Sequence, residues 1–236
     1  MKRFSSVYKV RPKGLTMLRD DLTNQSQSTL TVAVLGATGN LGGHYAQQAL
    51  AAGHKLQALA RSVTKLTIAE QSGVTAIQGD ATSPDDVARV VTGANVVVSC
   101  IGGNKHSQVM EAASNNILSA AAQQPHPPRC IFVSSIGLGG TSPLIGWILE
   151  RIAGKPTWSD YEAADLRIRT ERNVPVTLVR PYALTDKPGK GAYHATTKSR
   201  ITFARPITRA DAATFLLDAT TNPYWDGPEG VQLTGA

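Results

Sequence analysis

Long apolar runs, cysteines and aromatic residues are all scarce in this sequence. No apolar run in the 236 residues approaches the roughly 20 that a membrane-spanning helix needs, so no membrane partner is expected. The two cysteines, Cys100 and Cys130, lie in apolar, strand-like runs. On a parallel sheet they would occupy opposite ends of neighbouring strands, too far apart to form a disulfide. A reduced intracellular protein, cytoplasmic in our interpretation, fits this cysteine content best.

The sequence also lacks histidines and cysteines at the spacing of metal ligands, and its basic charge is not spread evenly along the chain. The five histidines show no ligand-like spacing with each other or with cysteine, so no metal site is expected. The net charge is +7, but residues 1–28 contribute +4 of it and residues 29–236 only +3. The main part of the chain therefore lacks the basic face of a nucleic-acid-binding protein, and no nucleic-acid partner is expected.

The first 28 residues differ from the rest of the chain. They are basic, contain Ser, Thr and Gln, and show no steady periodicity. They lack the apolar region of a secretory signal. A mitochondrial presequence stays open as an alternative, although Asp20, Asp21 and the weak amphipathicity argue against it. We interpret residues 1–28 as a basic, flexible extension, either disordered or loosely docked, and residues 29–236 as one folded domain.

The chain is organised around a glycine-rich turn after its first apolar strand. The apolar run 30–35 leads into three glycines, and a helix of roughly 41–52 follows. Gly36 can make the sharp turn, Gly39 lets backbone approach a pyrophosphate, and Gly42 lets the helix lie close to the strand. The N–H groups at the helix start favour phosphate. This context predicts a dinucleotide site, the alternative being an ordinary strand–helix turn. The expected contact residues are Gly36, Thr38, Gly39, Asn40, Leu41 and Gly42.

The end of the second strand indicates which dinucleotide is bound. The strand 55–60 ends at Arg61 and Ser62, and no acidic residue stands there to bind the ribose 2′-hydroxyl of NAD. Arg61, with Ser62 and Lys65, would suit a 2′-phosphate instead. The sequence therefore predicts NADP as the cofactor. The alternative is that Arg61 is a surface arginine at a strand end.

Further cofactor contacts are expected at the ends of later strands. The strand 74–78 is followed by Asp80, which could lie near the adenine or cap a turn. The continuous apolar run 96–99 is typical of a strand covered on both faces, and the cofactor's second half should lie at its end. A further strand, 176–179, leads into an arginine and a proline. The contacts predicted at these strand ends are Asp80, Cys100, Gly102, Arg180 and Pro181.

Alternating strands and helices predict an α/β fold built on a doubly wound parallel sheet, with small C-terminal segments on the substrate side. Six short stretches carry a more specific pattern: 36–42, 60–62, 79–80, 133–135, 178–181 and 207–211. With these stretches, the chain resembles the atypical short-chain dehydrogenases/reductases over residues 30–236. It is most similar to the NmrA-like and biliverdin-reductase-B-like NAD(P)-binding group. The resemblance implies a Rossmann fold.

The resemblance also implies a comparison with the classical chemistry of short-chain dehydrogenases, which uses a serine, a tyrosine, and a lysine four residues after the tyrosine; departures from this set are common in the atypical group. In the family the tyrosine gives a proton to the carbonyl oxygen as hydride arrives, and the lysine lowers its pKa. Ser134 or Ser135 matches the serine, and Tyr161 falls where the tyrosine would be. Asp165 stands in the lysine position, and no tyrosine of the chain has a lysine at that spacing. The alternative is that Tyr161 packs the start of its helix.

These features favour an NADPH-dependent reductase of a small, fairly apolar carbonyl, quinone, flavin or conjugated substrate, as a monomer or homodimer. The missing lysine favours, as an alternative, a non-catalytic NADP-sensing regulatory or assembly protein. A cofactor-retaining epimerase or isomerase is a further alternative, which lacks the tyrosine–lysine pair usual in the extended relatives. The apolar segment 139–158 is expected to form a flap or helix over the site, although core or a dimer surface is nearly as good an interpretation. The polar, loop-rich stretch 183–206 holds three candidates for substrate contact: Tyr193, His194 and Lys198.

Overall fold

A computed structural model describes residues 10–11, 14–18, 29–103, 108–139, 143–197 and 205–236. The strands are β1 Val10–Arg11, β2 Gly14–Leu18, β3 Thr31–Leu35, β4 Lys55–Ala60, β5 Val74–Gln78, β6 Val96–Ser99, β7 Arg129–Val133, β8 Val176–Pro181, β9 Leu184–Thr185, β10 Ala192–Thr196, β11 Ile207–Thr208 and β12 Gly227–Gly235. The helices are α1 Asn40–Ala51, α2 Pro84–Val91, α3 Met110–Ala122, α4 Pro143–Ala153, α5 Lys155–Thr170 and α6 Arg209–Thr221.

Ten of the strands form one sheet in the order β1-β2-β10-β12-β8-β7-β6-β3-β4-β5. Pairing is parallel from β12 through β5, whereas β10 runs antiparallel to both β12 and β2. β9 and β11 form a separate two-stranded parallel ladder. The parallel strands all present their carboxyl ends at one edge of the sheet, which is where such folds place their ligands.

Apolar side chains fill both sides of the sheet. Within β3, Val32 and Val34 pack into one apolar cluster, and Ala33 and Leu35 pack into another on the opposite face. All four side chains are fully buried. A strand covered on both faces is what a parallel sheet with helices on each side requires. The structure therefore confirms the predicted doubly wound α/β fold.

The elements near the glycine turn agree closely with the sequence predictions, whereas the C-terminal edge does not. The strands 55–60 and 74–78 have the predicted bounds. The prediction that residues 183–206 are loop-rich is wrong for 192–196, which form β10. That strand alternates buried Tyr193 and Ala195 with exposed His194, and a period-2 pattern this short is hard to recognise.

Two further predictions concern the N-terminal residues 1–28 and the apolar segment 139–158. Gly14–Leu18, inside the predicted extension 1–28, pairs with β10 as β2. The domain division at residue 28 and the flexibility of 1–28 stay predictions. The segment 139–158 contains a helix, α4, and its expected position over the site stays a prediction. Across the described ranges, no helix combines the length and apolarity needed to cross a bilayer.

Candidate functional site

The glycine turn between β3 and α1 leaves no room for side chains at two of its three glycines. Gly36 has a φ of +85°, and a Cβ there would lie 2.9 Å from the backbone carbon and oxygen of Cys100. A Cβ on Gly42 would lie only 2.2 Å from the carbonyl oxygen of Gly36. At Gly39 the corresponding distance to that oxygen is 3.3 Å, so the fit is looser. Gly36 and Gly42 therefore hold strand, turn and helix together, as the sequence predicted.

The N-terminus of α1 is left open. Its N-cap is Gly39, which makes no side-chain cap, and the first turn of α1 contains no acidic residue. By contrast, Ser83 caps α2, whose first turn carries Asp85 and Asp86. The first N–H groups of any helix lack partners inside the helix and carry a partial positive charge. The turn and the start of α1 thus form a cradle that fits an anion such as a pyrophosphate.

Arg61 is exposed at the end of β4, one strand away from the cradle. Arg61 forms no ion pair within the described part of the chain. Asp80, at the end of β5, accepts hydrogen bonds from the backbone N–H and hydroxyl of Thr82 at 2.9 and 2.8 Å. These bonds lower the pKa of Asp80, and the charge of Arg61 acts in the same direction. Asp80 therefore caps a turn. Near Arg61, the hydroxyl groups of Ser62 and Thr64 share a hydrogen bond of 2.8 Å.

Tyr161 of α5 contacts the loop that follows β6, at the carboxyl edge of the sheet. The Tyr161 hydroxyl accepts a hydrogen bond of 2.9 Å from the N–H of Gly103, and a Cβ on Gly102 would lie 3.4 Å from the same oxygen. Burial raises the pKa of the Tyr161 phenol, the Gly103 bond opposes this, and Asp160 adds to the rise. Tyr161 thus contacts the loop where the cofactor's second half is expected, beyond packing its own helix. Cys100, under the turn, has a thiol whose pKa burial raises to about 12, which keeps it protonated.

Asp165, in the position of the family's lysine, is the centre of a buried ion-pair network. Its carboxylate accepts two hydrogen bonds of 2.9 Å from Arg180 and one of 2.8 Å from Arg169. The Ser134 hydroxyl donates to it over 3.5 Å. Ser135, by contrast, donates to the carbonyl of Ile136 at 3.2 Å. The network joins the end of β7 to α5 and β8.

The burial of Arg180 corrects one prediction. Its guanidinium lies where a Cβ on Gly139 or Gly230 would come within 2.7 and 2.4 Å of its nitrogens. It also donates to the carbonyl of Glu229 at 2.8 Å. Because Arg180 is fully buried, it has no surface for the predicted cofactor contact, and its role is structural. Pro181 is buried beside it, and its cofactor contact stays a prediction.

The candidates for substrate contact in the C-terminal segment also change. Tyr193 is buried, and its ring meets Phe215 edge-on with a centroid distance of 5.5 Å. It belongs to the core, which corrects the prediction that it contacts substrate. His194 is exposed on β10, and Lys198 lies outside the described residues.

Sequence reasoning missed Gln232 of β12. It pairs with Arg180 in the register of β8 and β12, and with Thr196 in the register of β10. Gln232 is buried, and neither polar atom of its amide has a hydrogen-bond partner among the residues that the structure describes. An unsatisfied buried amide is costly and uncommon in folded proteins. A polar residue inside a strand predicts an exposed side chain, so no local signal could have singled it out.

Comparison with known proteins places the chain in a family. A family model described as NAD(P)H-binding matches residues 36–223, which includes the glycine turn, Arg61, Tyr161 and Asp165. The chain belongs to this NAD(P)H-binding family. The resemblance drawn from the sequence is thereby confirmed at the level of the family.

Several solved structures share the fold at low sequence identity. An anaerobillin reductase from Escherichia coli O157:H7, ChuY, is 22% identical with a TM-score of 0.75, over 87% of this chain and 97% of that one. A short-chain dehydrogenase/reductase from Veillonella parvula, in complex with NADP, is 18% identical with a TM-score of 0.73, over 88% and 95%. The oxidoreductase ylbE from Lactococcus lactis is 18% identical with a TM-score of 0.74, over 88% and 91%.

Proposed function

We propose that the protein is an NADPH-dependent reductase of a small, fairly apolar carbonyl, quinone, flavin or conjugated compound. The observation that carries the proposal is the open cradle at the start of α1, which has neither a side-chain cap nor an acid. The cofactor's pyrophosphate would lie on the turn formed by Gly36, Gly39 and Gly42. When bound, NADPH supplies a hydride.

The preference for NADPH over NADH rests on Arg61. This side chain is exposed beside the cradle and forms no ion pair with the described residues, so its guanidinium can bind a 2′-phosphate through two hydrogen bonds. The carboxylate that would bind the 2′-hydroxyl of NADH is absent from the end of β4. NADP in the related Veillonella parvula structure agrees with this choice.

The chain's own residues would position the reacting groups more than they would transfer protons. Tyr161 lies at the loop after β6, but the position four residues later carries Asp165 and supplies no cation to lower its pKa. Burial instead raises the pKa of Tyr161, which makes the phenol a weaker acid. We therefore assign proton delivery to solvent, and assign the orientation of the ligands to Tyr161 and to Ser134 or Ser135, of which Ser135 is the more exposed.

A non-catalytic NADP-binding sensor is the second candidate. It is favoured by Asp165, which stands where the classical enzymes have their catalytic lysine. The carboxylate of Asp165 is bonded to Arg180 and Arg169 and so has a structural role. Such a protein would bind NADPH through the same cradle without consuming it. Cofactor binding is therefore common to both candidates, and turnover separates them.

The test is NADPH consumption by the purified protein with a panel of quinones, enones and flavins. Anaerobillin belongs in the panel because the similar ChuY protein is described as an anaerobillin reductase. Cofactor binding is followed by fluorescence in the same cuvette. Consumption with one acceptor supports the reductase. Binding with no consumption by any acceptor favours the sensor, and no binding contradicts both.

A further inference from the structure

Helix α4 exposes its apolar face. Leu144, Trp147, Ile148 and Ile152 are 68%, 57%, 43% and 59% exposed. Their spacing of three, four and eight residues places them on one side of the helix, and we call them the α4 stripe. A surface helix of a globular protein normally turns such a stripe towards the core. Here the stripe faces outward, which indicates a surface that binds a partner.

The opposite side of α4 is fixed against the rest of the protein. Gly146 is buried, and a Cβ there would lie 2.9 Å from the carbonyl oxygen of Gly137, in the loop after β7. The same Cβ would lie 3.6 Å from the ring of Trp158. This close approach needs glycine at position 146 facing inward. The outward direction of the α4 stripe therefore follows from how the helix is seated.

We propose that the α4 stripe docks the protein onto the surface of an anionic lipid bilayer. The stripe exposes on the order of 400 Å², about half of the roughly 800 Å² that each partner contributes to a stable protein interface. A second copy of the chain would need additional matching surface. A bilayer needs none, because the apolar side of a helix can enter the boundary between headgroups and acyl chains.

The charges around the α4 stripe fit anionic headgroups. The Arg151 guanidinium lies 5.5 Å from the centre of the Trp147 ring, and exposed Lys155 follows at the start of α5. Glu150 is the single acid of α4, so residues 143–155, with Arg151 and Lys155, carry a net charge of +1. Arginine and lysine at the edge of an apolar face extend towards headgroups, and tryptophan favours the interface.

The proposal revises the expectation that no membrane partner exists. That expectation rested on the lack of a spanning helix, which is a different mode of attachment from a helix lying on the surface. From the sequence, the spacing of the α4 stripe is equally typical of a buried helix. Its exposed fraction could be known only from the fold.

The test is co-sedimentation of the full chain with vesicles of phosphatidylcholine, alone or mixed with phosphatidylglycerol. We expect binding to the mixed vesicles, and a drop of at least about tenfold in the bound fraction for the double variant Leu144→Ser/Trp147→Ser. The matched control is Leu166→Ser/Tyr224→Ser, which removes side chains that are 56% and 69% exposed away from α4. It should bind like the unmodified protein.

Tryptophan fluorescence and light scattering complete the test. Trp158 and Trp225 are buried, so a blue shift on adding mixed vesicles reports on Trp147 and should vanish in Trp147→Phe. Failure of the unmodified protein to bind mixed vesicles would overturn the proposal. A dimer in solution that Leu144→Ser/Trp147→Ser converts to monomers would also overturn it, by showing that a second copy covers the stripe. Unchanged melting temperatures of the variants exclude unfolding as the cause.

Discussion

The two sides of the candidate site differ in how their polar groups are satisfied. On the cofactor side, the start of α1 has no side-chain cap, and Arg61 has no ion pair in the described chain. On the substrate side, Asp165 and Arg180 satisfy each other in a buried, bidentate pair. Groups left open can bind a ligand, whereas groups paired inside the protein hold the fold. The comparison supports the proposed cofactor site on the first side, and it shows a buried ion pair, Asp165 with Arg180, at the position where the classical enzymes have lysine.

The glycine turn should show the largest effect. Gly42→Ala places a Cβ against the Gly36 carbonyl, a backbone atom that cannot move aside, so we expect a loss of several kcal/mol in unfolding free energy. The proposed NADPH binding should be lost with it. The control is Gly43→Ala, whose Cβ would sit 3.6 Å from the nearest atom and should stabilise α1 by up to about 1 kcal/mol. Urea denaturation measures both, and equal stabilities would contradict the close approach.

The second-largest loss of stability should follow from breaking the buried ion pair between Asp165 and Arg180. Asp165→Asn leaves Arg180 buried without its carboxylate, which typically costs about 3–5 kcal/mol. The matched control is Asp186→Asn, because Asp186 pairs with Arg209 but is 68% exposed, and such pairs contribute at most about 1 kcal/mol. Chemical denaturation at neutral pH gives both values. Similar losses for the two variants would show that burial of the Asp165 pair does not matter.

Charge reversal at Arg61 sharpens the comparison on the cofactor side. We expect Arg61→Asp to weaken NADPH binding by about 10- to 100-fold, because charge-assisted hydrogen bonds to a phosphate contribute about 1.5–3 kcal/mol. NADH binding should be unchanged or improved. The control is Lys55→Asp, an equal change of charge at an exposed position on the other end of β4. Fluorescence titration with both cofactors measures the ratio, and an unchanged ratio in Arg61→Asp would remove the basis for NADPH preference.

Removing the N-cap of α2 should give the smallest loss of stability. The Ser83 hydroxyl accepts the N–H of Asp86, so Ser83→Ala should cost about 0.5–2 kcal/mol of stability. It should leave NADPH affinity unchanged, because Asp85 and Asp86 stay in the first turn of α2 and disfavour an anion there even when the cap is removed. Urea denaturation and the same fluorescence titration check both statements. A changed affinity would mean that α2 also contributes to the cofactor side.

The cofactor side could be predicted from the sequence because its determinants are local. The turn needs glycine at positions 36 and 42 and an apolar strand before them, all within a dozen residues. The buried ion pair could not be predicted, since it joins Asp165 to a residue 15 positions away and passes between Gly139 and Gly230. The same pattern Arg180-Pro181 that marks the family suggested a cofactor contact, and only burial assigned it to the interior. Likewise, periodicity identified apolar residues in α4 but not the direction they face.

The most direct test of the account is a fluorescence titration of the unmodified protein with NADPH and with NADH. The open cradle and the exposed Arg61, which forms no ion pair in the described ranges, predict saturable binding of both cofactors, with NADPH at least about tenfold tighter. Equal affinities would contradict the role of Arg61. An absence of binding by either cofactor would contradict the central claim that the uncapped start of α1 is a dinucleotide site.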